Sequence, residues 1–186
     1  MFDIDQAMAD VVARATEPAL AAIKLAWWRE NLEQLDTAPP TAEPRLQAAA
    51  RELLPRGLSG AEIAALEESW ALLLQADDQQ AFLRGVAARG PTLFALAARL
   101  LGLTMDEQLE NAAQEFAAAD LGRRRLLDMA PPALRRASSK SPRRARPLTA
   151  LAALARRDLR RDGPPFEPEA TPGRAWNLIW HRFTGR

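Results

Sequence analysis

The chain has 186 residues, no cysteine and one histidine, and its 25 basic residues nearly balance its 24 acidic residues. This length predicts one domain with a sizeable core. The composition excludes disulfides, thiolate metal sites and a metal held by two histidines of one chain. No apolar run is long enough to span a membrane, and the first ten residues lack the basic start of a signal peptide. We therefore predict a cytoplasmic protein.

Four helices are predicted in the first 76 residues. The first carries apolar side chains at three- and four-residue steps, namely Phe2, Ile4, Met8, Val11 and Val12. The second runs from Pro18 to about Asp36, with a predicted inward face of Leu20, Ile23, Trp27, Leu32 and Leu35. A short helix follows from Pro44 to about Pro55. Ser59 and Glu62 then form a capping-box pattern that opens the fourth helix.

Gly90-Pro91 is predicted to interrupt the next helix, which starts after Asp78. Proline lacks the amide hydrogen and clashes with the preceding helical turn. Residues 93–101 would then form a separate, largely apolar helix at the centre of the protein.

The remaining elements are also helical. Thr104 with Glu107 is a second capping-box pattern, and the helix that it opens is predicted to continue to about Met129. Residues 148–159 and 173–183 form the last two helices, of which the second is amphipathic. The whole pattern predicts an all-α fold, a single bundle of about eight helices over residues 1–186.

Basic residues are concentrated in 123–161, which holds 13 Lys/Arg against two acids and leaves 12 basic and 22 acidic residues elsewhere. We predict a flexible basic link at about 135–147. It would contact an anionic surface through Arg135, Arg136, Arg143, Arg144 and Arg146. The surface could be a membrane, an acidic protein or a nucleic acid, and a solvated loop is the alternative. Nucleic acid ranks last because no aromatic residues are interleaved for base stacking.

Residues 17–32, EPALAAIKLAWWRENL, carry the most specific pattern in the chain, a double tryptophan on a helix. This segment resembles a helix of the squalene/phytoene synthase family and of the related complex I assembly factors. Residues 89–102 are similar to the family's small-residue helix before its second metal site. Residues 146–159 are similar to the helix after the basic link in many bacterial members.

The resemblance implies an isoprenoid-synthase-like bundle, truncated at the N-terminus. It also implies a site in which two Asp-rich motifs hold Mg²⁺ against a diphosphate, because Mg²⁺ prefers carboxylate and phosphate oxygens. The chain begins after the expected place of the first motif. The second motif belongs near 112–124, where Glu115 and Asp120 are not paired with other acids. We therefore predict no catalytic residue and no metal ligand, with Mg²⁺ needed only if the protein is an enzyme.

The candidate contacts to an isoprenoid ligand are Trp27, Trp28, Arg29 and Asp120. Adjacent tryptophans point to different faces of a helix, so one is predicted in the core. The other would either line a lipid groove or have a structural role, and we favour the structural role. Arg29 binds a phosphate or, as we favour, pairs with Glu33 at helical spacing. Asp120 is interpreted as a remnant of the second motif.

Asp158 and Asp162 have the spacing of a helical acid pair, but four arginines surround them. We favour a solvated helix end over a metal site. The lone His181 is expected on the surface.

Two functional hypotheses follow. The first is a non-catalytic binding or assembly protein, peripheral to the inner face of a membrane or bound to an acidic partner. The alternative is an isoprenoid-biosynthesis prenyltransferase with an atypical site, or one completed by a partner subunit.

Overall fold

Nine α-helices form in residues 1–126, 140–160 and 166–185, the parts of the chain that this computed structural model describes. These ranges contain no strand. The helices are α1 (Phe2–Ala13), α2 (Pro18–Gln34), α3 (Pro44–Glu52), α4 (Gly60–Ala64), α5 (Leu66–Leu74), α6 (Gln79–Leu100), α7 (Glu107–Arg123), α8 (Arg146–Leu159) and α9 (Pro172–Thr184). Short 3₁₀ turns occupy Leu54–Arg56 and Arg143–Ala145. Because Ala65 alone separates α4 from α5, the prediction of an all-α fold with about eight helices is confirmed.

Two large apolar clusters and a small one of Ala119, Ala155 and Leu159 fill the interior of the described chain. The first large cluster joins α1 to α6 around the fully buried indole of Trp70. The second lies between α6, α7 and α8, around Phe94. Here α7 presents small side chains to its neighbours, including Ala112, Ala113 and Ala117. These alanines let α6 and α8 approach α7 closely.

The predicted break at Gly90-Pro91 is wrong, because α6 runs through both residues. Gly90 lies so close to α7 that a Cβ atom built on it would be 2.2 Å from the Ala113 carbonyl oxygen. Side chains before and after the proline, such as Val86 and Leu93, are buried. Packing on both sides of Pro91 therefore outweighs the one backbone hydrogen bond that proline cannot make.

The predicted inward face of α2 is partly wrong. Leu20, Ile23 and Trp27 are exposed, whereas Leu25 and Trp28 are buried against α4 and α5. The helix is apolar on both faces, so residue spacing does not decide which face is covered. The close approach of α4 to α2 determines which face of α2 is buried.

The first predicted capping box is confirmed. The Glu62 amide donates to Ser59 Oγ at 3.0 Å, and the Ser59 amide donates to Glu62 Oε2 at 2.8 Å. These bonds satisfy two free amides at the start of α4.

Both predicted ends of α7 need correction. The N-cap is Asp106, whose Oδ1 accepts from the Leu109 amide at 2.8 Å, and Thr104 does not cap the helix. The helix ends at Arg123 rather than near Met129, which lies outside the described residues. Arg125 adopts a left-handed φ of 60°, and the Leu126 amide donates back to the Leu121 carbonyl. This arrangement terminates the helix.

Candidate functional site

A charged cluster lies inside the bundle where α1, α5, α6 and α7 meet. Asp5 and Arg89 are 3% and 1% exposed, and Arg89 Nη2 donates to Asp5 Oδ2 at 2.6 Å. Asp5 Oδ1 also accepts from Trp70 Nε1 at 2.8 Å. The Arg89 guanidinium carbon lies 4.3 Å from the centre of the Trp70 ring. Because a buried charge is costly without partners, these contacts allow both charges to remain inside.

Asp120 belongs to the same cluster. Its Oδ2 forms an ion pair with Arg89 Nη2 at 2.8 Å and accepts a hydrogen bond from Arg124 Nε at 2.9 Å. Arg124 also donates to Asp10 at 3.0 Å. Burial lowers the pKa of Arg124, but its hydrogen bonds to Asp120 and Asp10 outweigh burial and raise the pKa overall. Asp120 therefore lies between two permanent cations.

Glu115, the other acid near the expected second motif, is buried and also paired. Its Oε2 accepts from Arg156 Nη1 at 2.8 Å. Burial raises the pKa of Glu115, and the attraction of Arg156 only partly opposes this. These two α7 carboxylates thus face arginines on α6, on α8 and just after the end of α7.

The raised pKa of Glu115 gives a testable pH dependence. Between the ordinary glutamate pKa and the raised one, the unfolded chain loses this proton while the folded chain keeps it, so rising pH removes stability. Glu115→Gln keeps an acceptor for Arg156 and has no charge to bury. We expect a higher Tm than wild type at neutral pH and a smaller difference in acid. Thermal melts across pH, with the exposed Glu110→Gln as control, check this, and a lower Tm at neutral pH would contradict it.

A second charged cluster joins α7, α8 and α9, and it corrects the interpretation of Asp158. This carboxylate is buried rather than solvated. It accepts two hydrogen bonds from Arg123, at 2.8 and 2.9 Å, and one from Arg174 at 2.5 Å. Asp162 lies outside the described residues. Asp158 therefore attaches the C-terminal helix to the bundle.

His181 is also buried, contrary to expectation. It is fully covered between α9 and α8, and its Nε2 lies 2.9 Å from Thr149 Oγ1. The Thr149 hydroxyl donates to the Ala145 carbonyl at 3.2 Å, so it accepts from His181. This contact fixes the orientation of α9.

The other residues proposed to contact a ligand lie on α2. Trp28 is buried and Trp27 is 42% exposed, as the opposite-face argument predicts, and their rings pack edge to face at 5.2 Å. Arg29 approaches Glu67 at 3.9 Å rather than Glu33. No contact in the described part of the chain joins these α2 residues to Asp120. The four predicted contacts therefore do not form one site.

An apolar stripe on α9 faces outward. The exposed fractions of Trp176, Ile179, Trp180 and Phe183 are 65%, 47%, 54% and 75%. These residues follow steps of three, four and seven, which is one helix face. We call them the α9 stripe. Exposed apolar side chains grouped in this way are typical of a binding surface.

A groove of about 670 Å³ lies beside the stripe, between the start of α8 and the end of α9. Arg143, Arg146 and Arg182 line it together with apolar side chains that include Pro147 and Ala150. It combines positive charge with an apolar wall.

The arginines predicted to contact an anionic surface divide into three groups. Arg143 and Arg144 are exposed in the 3₁₀ turn before α8. Arg146 is half-buried and donates to the Arg182 and Phe183 carbonyls at 2.6 and 3.2 Å, which caps the end of α9. Arg135 and Arg136 lie outside the described residues.

Sequence reasoning missed the cluster of Asp5, Trp70 and Arg89, and no local signal could have found it. Asp5 and Arg89 are 84 residues apart, and each is typical of a surface helix position. The apolar spacing of α9 does indicate the stripe. Spacing alone, however, does not show whether other helices cover that face.

Within 1–126, 140–160 and 166–185, no three His, Asp or Glu side chains are grouped to hold a metal ion. No helix in these ranges has the length and apolar character to cross a bilayer. No family model, curated protein or solved structure matches the chain.

Proposed function

We propose that this protein is a non-catalytic binding or assembly protein, built on a helical bundle like that of the squalene/phytoene synthases. The observation that carries the proposal is the pairing of Asp120 with Arg89 and Arg124. This acid lies where the resemblance places the second Asp-rich motif.

The pairing opposes a metal–diphosphate site for an electrostatic reason. A Mg²⁺ ion needs carboxylate oxygens that are free to face it. Asp120 would have to leave two guanidinium groups, and Arg89 is 1% exposed. A Mg²⁺ ion bound to Asp120 would also lie beside both guanidinium cations, and like charges repel. Glu115 is likewise held by Arg156 and does not face a metal ion freely. Asp120 and Glu115 therefore stabilise the bundle. We expect a partner to bind at the surface of the bundle instead.

The proposal predicts no prenyl transfer. We expect the purified chain to form no product from farnesyl or geranylgeranyl diphosphate with Mg²⁺, and Asp120→Asn to change only stability. Chromatography of the extracted lipids measures this. Product formed by the wild type and lost in a folded Asp120→Asn variant would contradict the proposal and favour the prenyltransferase alternative. A product that appears only after a second subunit is added would also favour it.

A further inference from the structure

The side of α9 opposite the stripe faces the bundle, and its contacts explain why the stripe points outward. On the opposite side of α9, Arg174 binds Asp158 and His181 contacts Thr149. Polar contacts thus attach this helix to α8, and its large apolar side chains remain uncovered among the described residues. Placing two tryptophans and a phenylalanine in water is unfavourable, so the stripe is suited to a partner.

The surroundings of the stripe are strongly positive. Residues 140–160 and 166–185 contain nine Lys/Arg and three acids, Asp158, Glu167 and Glu169. Asp158 is buried and already paired with Arg123 and Arg174. Glu167 is buried and paired with Arg157, so Glu169 is the one exposed acid in these ranges. The exposed charge near α9 is therefore predominantly positive, which favours an anionic partner.

We propose that α9 docks in the headgroup region of an anionic phospholipid bilayer. A helix with arginines beside an apolar face of Trp, Ile and Phe lies in the plane of such a surface. Tryptophan rings favour this interface because they combine an apolar body with an N–H donor. Helix α9 has 13 residues and is about 20 Å long, which is shorter than a bilayer core of about 30 Å. It would lie on the membrane rather than cross it.

The groove beside the stripe fits the same partner. Arg143, Arg146 and Arg182 line it, so a phosphate headgroup there would meet guanidinium donors while α9 inserts its rings among the acyl chains. The arginines within reach of a bilayer and the apolar contact of α9 would then both strengthen membrane binding.

A second copy of this chain fits less well. A symmetric dimer through α9 would place the same arginine-rich surface of each chain against the other, and like charges repel. An acidic protein would satisfy the arginines. However, the stripe consists of four large exposed side chains, and a soft lipid interface takes up such side chains without a preformed shape. A protein partner for it would need a matching groove.

The inference names the partner of the proposed binding function and so rests on it. The test is co-sedimentation with vesicles of phosphatidylcholine alone and of phosphatidylcholine with phosphatidylglycerol, at low and high salt. We expect binding to the anionic vesicles only, weaker at high salt. Trp176→Ser/Trp180→Ser/Phe183→Ser should weaken it by about tenfold or more. Arg143→Gln/Arg144→Gln/Arg182→Gln should weaken it by roughly a hundredfold at low salt.

The matched control is Leu20→Ser/Ile23→Ser, which removes exposed apolar side chains from α2 instead. It should bind vesicles like the wild type. A second measurement does not depend on the folding of the triple variants. In Trp27→Phe, the exposed tryptophans of the described residues are Trp176 and Trp180, and lipids brominated in the acyl chain should quench them.

Absence of vesicle binding, equal binding to both vesicle types, or no quenching would overturn the membrane inference. So would a solution dimer that the aromatic variant converts to a monomer. Those results would leave the non-catalytic assignment standing, since the prenyl-transfer assay tests it separately. Product formation in that assay would overturn the assignment and leave vesicle binding unaffected.

Discussion

Replacing Arg89 by methionine is expected to lower the free energy of unfolding by about 3–5 kcal/mol, because it leaves Asp5 buried without its cation. Asp5 would keep the Trp70 donor, which cannot neutralise a carboxylate. The loss is a large part of a typical domain stability of about 5–15 kcal/mol. For a chain of this size it corresponds to a Tm lower by roughly 10 °C. Urea unfolding followed by circular dichroism measures it.

Arg84→Met is the matched control, since Arg84 lies on the same helix and is exposed. It should unfold like the wild type. Adding Asp5→Asn to Arg89→Met should recover part of the loss, since no unpaired carboxylate remains at position 5, and this coupling is expected at about 0.5–3 kcal/mol. Equal stability of Arg89→Met and Arg84→Met would show that the cluster does not support the bundle.

Gly90→Ala is expected to cost about 3 kcal/mol or more, although alanine is the better helix former by about 1 kcal/mol. The new Cβ would lie 2.2 Å from the Ala113 carbonyl oxygen and 2.6 Å from its carbon. Both atoms belong to the backbone of α7, so no side-chain rotation relieves the clash. Helices α6 and α7 would have to separate. Thermal unfolding of the purified variant measures the effect.

Ala88→Ser serves as its control, because it also adds one heavy atom to α6, but on the exposed side. It should change Tm by much less than Gly90→Ala. If Gly90→Ala were as stable as the wild type, the close contact of α6 with α7 would be wrong. The continuous helix through Pro91 would then lose its physical explanation.

Local patterns in the sequence predict much of this fold. The Ser59 and Glu62 pair marks the start of α4, and apolar spacing locates most of the helices. Predictions fail where tertiary packing overrides a local preference. Pro91 does not break α6, because buried side chains hold both halves of the helix. Arg125 ends α7 early through a left-handed backbone that no sequence rule assigns to arginine.

The candidate sites were less predictable, because the residues that contact one another there are far apart in the sequence. Asp5 and Arg89 meet only once α1 and α6 have both packed against α5, and nothing within a few residues of either one indicates burial. The apolar face of α9 is evident from its spacing. Its outward direction depends on Arg174 and His181, whose partners Asp158 and Thr149 lie on α8.

The binding of Mg²⁺ with inorganic diphosphate, measured by titration calorimetry, most directly tests the claim that Asp120 is held by arginines. Wild type, Asp120→Asn and the exposed-site control Asp77→Asn are compared at neutral pH. We expect no binding that depends on Asp120, so the three proteins should give the same heats, because Arg89 and Arg124 neutralise the α7 carboxylate. Saturable binding by the wild type and the control that Asp120→Asn abolishes would contradict it.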